Sequence, residues 1–365
     1  EGYFLFDGTR YPTGINTPSL TNPNLTWEKS TTKNLGFDFT FLNNRLTFAA
    51  DIYERKVTDI LIPGGKDYPA LIGDDDLPFE NAGILKTTGF ELQAKWSDRL
   101  ANGFSYSLGV ALSDDKAKVI SYPSNPTNKI GDGVLYKGYT VGDIWGYVTG
   151  GILQEGDFDG VGANGKPLYH GPYFKGGQAY PGYVWYQDLD HDGVITTGLN
   201  TVNDPGDRKV IGNNAPRYRY NVTANFQYKG FDLDLMFQGV GKRDYWLSSS
   251  SSYWGNGAGS WETYNDSWTP ERTDAKFPMY GSGVGSYAQT GYLLDASYIK
   301  LKQVILGYTF PKSWIGKIGL EKLKLNVAAY NLFTISDVPK YYDADYLSDA
   351  YPPKRTFSVG IQVGF

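Results

Sequence analysis

The chain has 365 residues, with 34 Lys plus Arg against 39 Asp plus Glu, and its net charge of −5 lacks the basic surplus that binds nucleic acid. It holds no cysteine, which excludes disulfides, zinc-thiolate centres, iron–sulfur clusters and cysteine nucleophiles, and its imidazoles are limited to His170 and His191. No run approaches the roughly 18 apolar residues of a membrane-spanning helix, whereas 30 Tyr, 19 Phe, 9 Trp and 45 Gly suit pleated strands and turns.

The chain begins at Glu1 with neither Met nor a charged-then-apolar leader, which reads as a mature product or a piece of something longer. Alternation of apolar and polar residues, the mark of a strand with two unlike faces, starts at Leu35, Phe37, Phe39 and Phe41. After a short turn at Asn43-Asn44 it resumes at Leu46, Phe48, Ala50 and Ile52. Phe90, Leu92, Ala94 and Trp96 follow, and Asn102-Gly103 turns the chain into Phe104, Tyr106, Leu108, Val110 and Leu112. Tyr218, Tyr220, Val222, Ala224, Phe226 and Tyr228 lead through Lys229-Gly230 into Phe231, Leu233, Leu235 and Phe237. Residues 298–310 and 323–332 also look like strands, with less regular alternation. The chain closes on Phe357, Val359, Ile361, Val363 and Phe365. None of the residues on these seven apolar faces is charged, while Asp38, Asp51, Glu91, Lys95, Arg219, Asp232 and Asp234 stand between them.

A soluble sandwich would alternate equally well, so the links must discriminate. They run short (42–45), long (56–87), short (98–103), very long (114–215), short (229–230), long (241–292), medium (311–320) and long (333–353). Outer-membrane barrels show this asymmetry of tight periplasmic turns and long extracellular loops. If Phe365 ends in the periplasm, every short link falls on that side. About nine crossing strands are expected, each about long enough to cross on a tilt. Single-chain bacterial barrels have even strand numbers, so at least one upstream strand is expected beyond these.

Several blocks carry a resemblance to a family. They are Asn22-Pro-Asn-Leu-Thr-Trp-Glu28, Asn34-Leu-Gly-Phe-Asp38, Asn81-Ala-Gly83 with Gly89-Phe-Glu91, and Gly142-Asp-Ile-Trp-Gly-Tyr147. Later come Asp188-Leu-Asp-His-Asp-Gly193, Ile211-Gly212 with Pro216, Ser297-Tyr-Ile-Lys-Leu-Lys302, Leu306-Gly-Tyr308, Asn331-Leu-Phe333 and the closing strand from Pro353 to Phe365. In this order they resemble the C-terminal third of a SusC/RagA-type TonB-dependent transporter. One departure is Asp343-Ala-Asp345, where the family often has an acidic-Pro-acidic turn.

The resemblance implies an all-β fold in which residues 1–365 form the C-terminal portion of a large antiparallel transmembrane β-barrel of about 22 strands. The plug domain and TonB box would lie outside this chain. It also implies residence in the outer membrane of a Bacteroidetes-type Gram-negative bacterium, as a multi-pass barrel in the lipid bilayer. The partners implied are the upstream part of the same barrel, a SusD-like surface lipoprotein as lid, and the TonB–ExbB–ExbD complex acting through the absent N-terminal region. The function implied is active import of a nutrient such as an oligosaccharide or peptide. The alternative from another class is a secreted or surface β-rich carbohydrate-binding or adhesin domain.

Asp188-Leu-Asp-His-Asp-Gly-Val194 fits the first half of an EF-hand-type loop. Asp188, Asp190 and Asp192 would offer carboxylates and Val194 its carbonyl to a structural Ca2+ ion. Leu199 occupies the twelfth position, so Asp204 or Asp207 would close the sphere; the alternative is an Asp-rich turn held by its own amides. Phe365 resembles the aromatic assembly signal at the end of outer-membrane barrels. Trp145, Tyr147, Trp185, Tyr245, Trp246, Trp254 and Trp261 crowd the long links, where they would touch substrate or lid, anchor at the interface, or pack. Asp74, Asp75 and Asp76 form an acidic cluster, and Ser248 to Ser252 a serine run expected to be a mobile loop segment. No Gly-x-Ser-x-Gly elbow, P-loop or His-Glu-x-x-His motif is present, and no enzyme is expected.

Overall fold

The computed structural model describes residues 3–6, 9–12, 22–64, 78–247, 261–283, 286–340, 342–347 and 353–365. Asp74 to Asp76, Ser248 to Ser252 and Trp254 lie outside the described residues. Nine strands form one antiparallel sheet: β1 Lys29–Phe41, β2 Leu46–Pro63, β3 Phe79–Arg99, β4 Ser105–Ser121, β5 Arg217–Tyr228, β6 Phe231–Lys242, β7 Tyr298–Thr309, β8 Lys322–Ile335 and β9 Thr356–Gly364. Each pairs with its sequence neighbours, so the sheet is a plain up-and-down wall. A separate hairpin pairs Tyr3–Phe6 with Thr9–Pro12. No helix among the described residues is long and apolar enough to cross a membrane, which says nothing of strands.

The register turns local alternation into two surfaces. One unbroken row of opposed residues crosses all nine strands as Phe41, Leu46, Trp96, Leu108, Ala224, Leu235, Val304, Ala329 and Phe357. The row one residue away reads Thr40, Thr47, Lys95, Gly109, Thr223, Met236, Gln303, Tyr330 and Thr356. A one-residue slip at any pairing would exchange the two surfaces, so the alternation pins the register. No second sheet packs over the apolar rows among the described residues. Phe37, Val110, Leu306, Val327 and Val359 are 51%, 48%, 48%, 52% and 76% exposed. Greasy side chains left so open fit a wall whose outer solvent is acyl chain.

The other surface carries the charges. Arg219 pairs with Asp115, Lys324 with Asp232 at 2.8 Å, and Asn225 donates to Asp234. A concavity of about 650 Å3 on this side is lined by Asp51, Glu91, Gln93, Arg219, Asn221 and Gln238.

The short turns all lie at one end. Lys229 and Gly230 take φ of 47° and 88°, the left-handed pair that matches strand twist in a two-residue hairpin. Beside them Phe104 stacks on Phe226 at 6.2 Å and Phe231 meets Tyr308 at 4.5 Å, an aromatic girdle at the membrane boundary.

Two expectations are corrected in detail. The strands outrun the alternation: β3 has 21 residues, where about 9–11 suffice to span a membrane, so β2, β3 and β4 rise above it. The first two long links therefore shrink to 64–78 and 122–216, while the other two run 243–297 and 336–355. The weaker alternation of β7 and β8 has a cause. Both pairings of β7 shift register around Lys302, and opposite it Asn331 adopts φ 55°. A bulge there breaks the period of two.

The buried apolar core lies in the outer links, above the wall. Tyr147, Val184, Tyr186 and Ile195 from 122–216, Phe277, Tyr292 and Ala296 from 243–297, and Val338, Tyr342 and Leu347 from 336–355 share one cluster with Val240 and Tyr298 of the rim. Small ladders stiffen this canopy. Asp143–Tyr147 pairs with Arg208–Asn213, and Thr149–Ile152 with Val184–Tyr186. Gly146 is required because a Cβ there would lie 2.4 Å from the Ala288 carbonyl oxygen. The block 22–28 is fastened by Asn81, whose side chain accepts from Thr26 N–H at 2.8 Å and donates to the Thr26 and Asp59 carbonyls.

Candidate functional site

The canopy holds most of the residues singled out in the sequence. Asp188, Asp190 and Asp207 bring carboxylate oxygens within 4.8 Å of one another. Turn geometry gathers the first two. Asp188 accepts from the His191 and Gly193 amides at 2.7 and 2.8 Å, and Asp190 accepts from Asp192 N–H at 3.3 Å. Asp207 is fully buried and accepts from the Leu189 and Thr196 amides, each at 2.7 Å. Asp192 is not part of this group; its carboxylate accepts from Val194 N–H at 2.8 Å. Asp204 also stays outside it, and Leu199 is 75% exposed. Burial disfavours the charge on both turn carboxyls. Amide donors nevertheless hold Asp188 below the usual carboxylate range, whereas Asp190, beside Asp207 and Asp192, is raised above it.

Most of the aromatic side chains are tied into the canopy by rings or hydrogen bonds. Tyr147 is 2% exposed and contacts the Tyr186 ring at 5.0 Å and the Phe174 ring at 5.5 Å. Trp145 is half-buried and donates through Nε1 to the Tyr136 hydroxyl at 2.9 Å. Trp185 lies over Gly150, and Trp246 packs on the common core. Tyr245 donates to the Leu347 carbonyl at 2.8 Å, tying two links together. Trp261 differs: it is 75% exposed on a five-residue helix, Trp261–Asn265, beside exposed Tyr264. Phe365 is 89% exposed, one residue past β9.

Two further groups were not singled out as sites in the sequence. Arg208 stands directly opposite Tyr147 on the small ladder, so their side chains share a face. Burial raises the Tyr147 phenol above its ordinary value, and the Arg208 charge pulls against that rise. Trp145, two residues before Tyr147, falls on the same face and opposes Val210. With Tyr245, Trp246 and Tyr287 these residues wall a cavity of about 620 Å3.

The second group is an ionic clamp at the rim. Lys300 of β7 is 1% exposed and donates to both Asp343 oxygens at 2.7 and 2.9 Å. Asp345 accepts from the Tyr298 hydroxyl at 2.7 Å and from Lys302 at 3.0 Å. Burial works against the Asp345 charge, but these donors hold its carboxyl below the usual range. Asp343-Ala-Asp345 thus supplies two acids, two residues apart, to two lysines spaced likewise on a strand. That matched spacing was the signal available in the sequence.

Comparison with known proteins agrees with this geometry. Residues 1–332 match the family model described as TonB dependent receptor-like, beta-barrel. The chain is 28% identical to the TonB-dependent receptor P3 of Formosa agariphila, over 98% of this chain and 36% of that protein. It is equally 28% identical to the TonB-dependent receptor SusC of Bacteroides thetaiotaomicron, over 99% of this chain and 34% of that protein. The structure of the RagAB peptide transporter has the same fold, with a TM-score of 0.72 at 20% identity over 100% of this chain and 38% of that chain. The chain spans about a third of the length of the curated relatives it matches. With its outward apolar rows, tight turns at one end and packed loops at the other, the chain belongs to the TonB-dependent receptor-like β-barrel family of the outer membrane.

Proposed function

We propose that this chain is the C-terminal wall and outer canopy of an active importer that carries a nutrient such as an oligosaccharide or peptide across the outer membrane. The observation that carries the reading is the nine-strand wall with an unbroken apolar row on one surface and charged pairs on the other. β1 and β9 have no outer neighbour among the described residues, so further strands would complete the barrel. Two relatives, SusC and the RagAB peptide transporter, support a surface lipoprotein over the canopy as lid. Exposed Trp261 is the candidate contact for it. TonB, with ExbB and ExbD, would supply the energy through a plug, and this segment would be conduit and not catalyst. Deleting the gene for the full-length protein should abolish growth on one oligosaccharide or peptide as sole nutrient source, and complementation should restore it only while TonB is functional. Unchanged uptake of every such substrate would overturn the proposal.

We also propose that Asp188, Asp190 and Asp207, with the Val194 carbonyl, hold a calcium ion that stiffens link 122–216. Three carboxylates this close repel one another unless a cation lies between them, and one of the three is fully buried. Chelation of the intact receptor should then increase protease cleavage within 122–216, and added Ca2+ should reverse it. A cleavage rate indifferent to chelator would leave the turn held by its amides alone.

A further inference from the structure

The cavity beneath the outer links is of a size that receives small ligands. Packing leaves one of its groups unsatisfied and a second with an unused donor. Tyr147 is 2% exposed, yet its hydroxyl has no hydrogen-bond partner among the described residues. A buried hydroxyl left in that state is destabilising. Arg208, opposite it on the ladder, spends Nε on the Pro205 carbonyl at 3.3 Å and Nη2 on the Thr197 carbonyl at 3.2 Å and Asn200 Oδ1 at 2.6 Å. These bonds fix the guanidinium plane and leave Nη1 unused. No carboxylate among the described residues forms an ion pair with Arg208. The nearby acids are otherwise engaged or distant: Asp207 takes two backbone amides, Asp143 accepts from Asn213 at 2.8 Å, and Asp132 is exposed.

A half-buried guanidinium with one nitrogen unused, beside a buried hydroxyl donor, is complementary to an anionic acceptor. Aromatic rings supply much of the remaining lining, which also includes Asp132 and Asp143. Trp145 lies on the same ladder face as Tyr147, and Tyr245, Trp246 and Tyr287 complete the enclosure. Such surfaces receive the flat or apolar body of a ligand.

We infer that this cavity binds a carboxylate-bearing ligand, its acid group held between Arg208 Nη1 and the Tyr147 hydroxyl and its body laid against the aromatic walls. The same chemistry is offered by a uronic-acid sugar and by an acidic peptide. The inference builds on the reading of the canopy as the outward side of an importer. Its test measures binding and not uptake, so that either can fail alone.

Titration calorimetry on the intact detergent-solubilised receptor would use a diglucuronic acid and a glutamate-containing tripeptide. Each is paired with its neutral counterpart, the glucose disaccharide and the C-amidated glutamine tripeptide. At least one acid should bind, and its neutral counterpart should bind roughly tenfold more weakly, the difference expected for losing charge-assisted hydrogen bonds. Whichever acid binds identifies the source of the carboxylate. Tyr147→Phe keeps the ring and its packing, so it should weaken acid binding roughly tenfold without lowering the thermal unfolding temperature. Arg208→Gln should weaken it further, and it is read beside Tyr147→Phe because Arg208 also braces Thr197 and Pro205. The inference is overturned if neither acid binds, if the neutral counterparts bind equally well, or if Tyr147→Phe binds the acid as wild type does.

Discussion

Asp343→Ala is expected to destabilise the folded receptor by about 3–5 kcal/mol, the loss typical of a buried ion pair stripped of one partner. The reason is Lys300, whose ammonium is 1% exposed and has both Asp343 oxygens within 2.9 Å. Asp345, at 3.6 Å, is already shared between Tyr298 and Lys302 and cannot fully replace Asp343. The loss should therefore arise mainly from a charge left buried, and not from the intrinsic strength of the pair. A double change tests that distinction. Lys300→Met with Asp343→Leu removes both charges and keeps apolar volume, so it should recover most of the loss. Asp345→Ala should be milder than Asp343→Ala, because Lys302 is 28% exposed and can turn to water. Thermal unfolding of the intact receptor, with proteolysis across 336–347, reads all of these variants. If the double variant proves as unstable as Asp343→Ala, the clamp is not the origin of the loss.

The wall was legible in the sequence because its information is local. Alternation between Leu35 and Phe41, or between Phe104 and Leu112, is set by neighbours two residues apart and needs no knowledge of the partner strand. The short turns were legible for the same reason, through Asn43-Asn44, Asn102-Gly103 and Lys229-Gly230. Strand ends were not. Above the membrane β3 and β4 continue to pair, but the outward face there need not be apolar: Thr88 opposes Lys116, and Lys86 opposes Lys118. The Lys302 bulge was hidden because it shifts the period without adding a glycine or proline. In the canopy the information is non-local throughout. Tyr147 meets Arg208 across 61 residues of chain, and Lys300 meets Asp343 across 43. Sequence spacing found Asp188 and Asp190, two residues apart, and left open which distant acid would join them; the fold brings Asp207 and leaves out Asp192.

Val110→Arg is expected to cost about 2–4 kcal/mol of barrel stability in a bilayer, while Ala111→Arg changes it by less than about 1 kcal/mol. The two positions are adjacent on β4 and share its backbone, so they differ only in the face they occupy. Val110 is 48% exposed in a row that continues through Ala94 and Phe48 on one side and Val222, Phe237 and Leu301 on the other. It lies four residues beyond Tyr106, whose ring stacks at 5.9 Å on Phe104 of the girdle. At roughly 2.5 Å of height per tilted residue, this places it about 10 Å into a hydrocarbon band about 25 Å tall. A guanidinium there would have to snorkel or drag water inward. Ala111 opposes Gln93 and Asn221 and lines the concavity that holds Asp51 and Glu91. A new cation on that side meets polar groups and opposite charge. Equilibrium unfolding from lipid bilayers, supported by the fraction of heat-modifiable folded protein in outer membranes, separates the two variants. Equal losses at both positions would mean that the two faces of β4 have the same solvent, and neither the girdle nor the apolar rows could then be placed in a membrane.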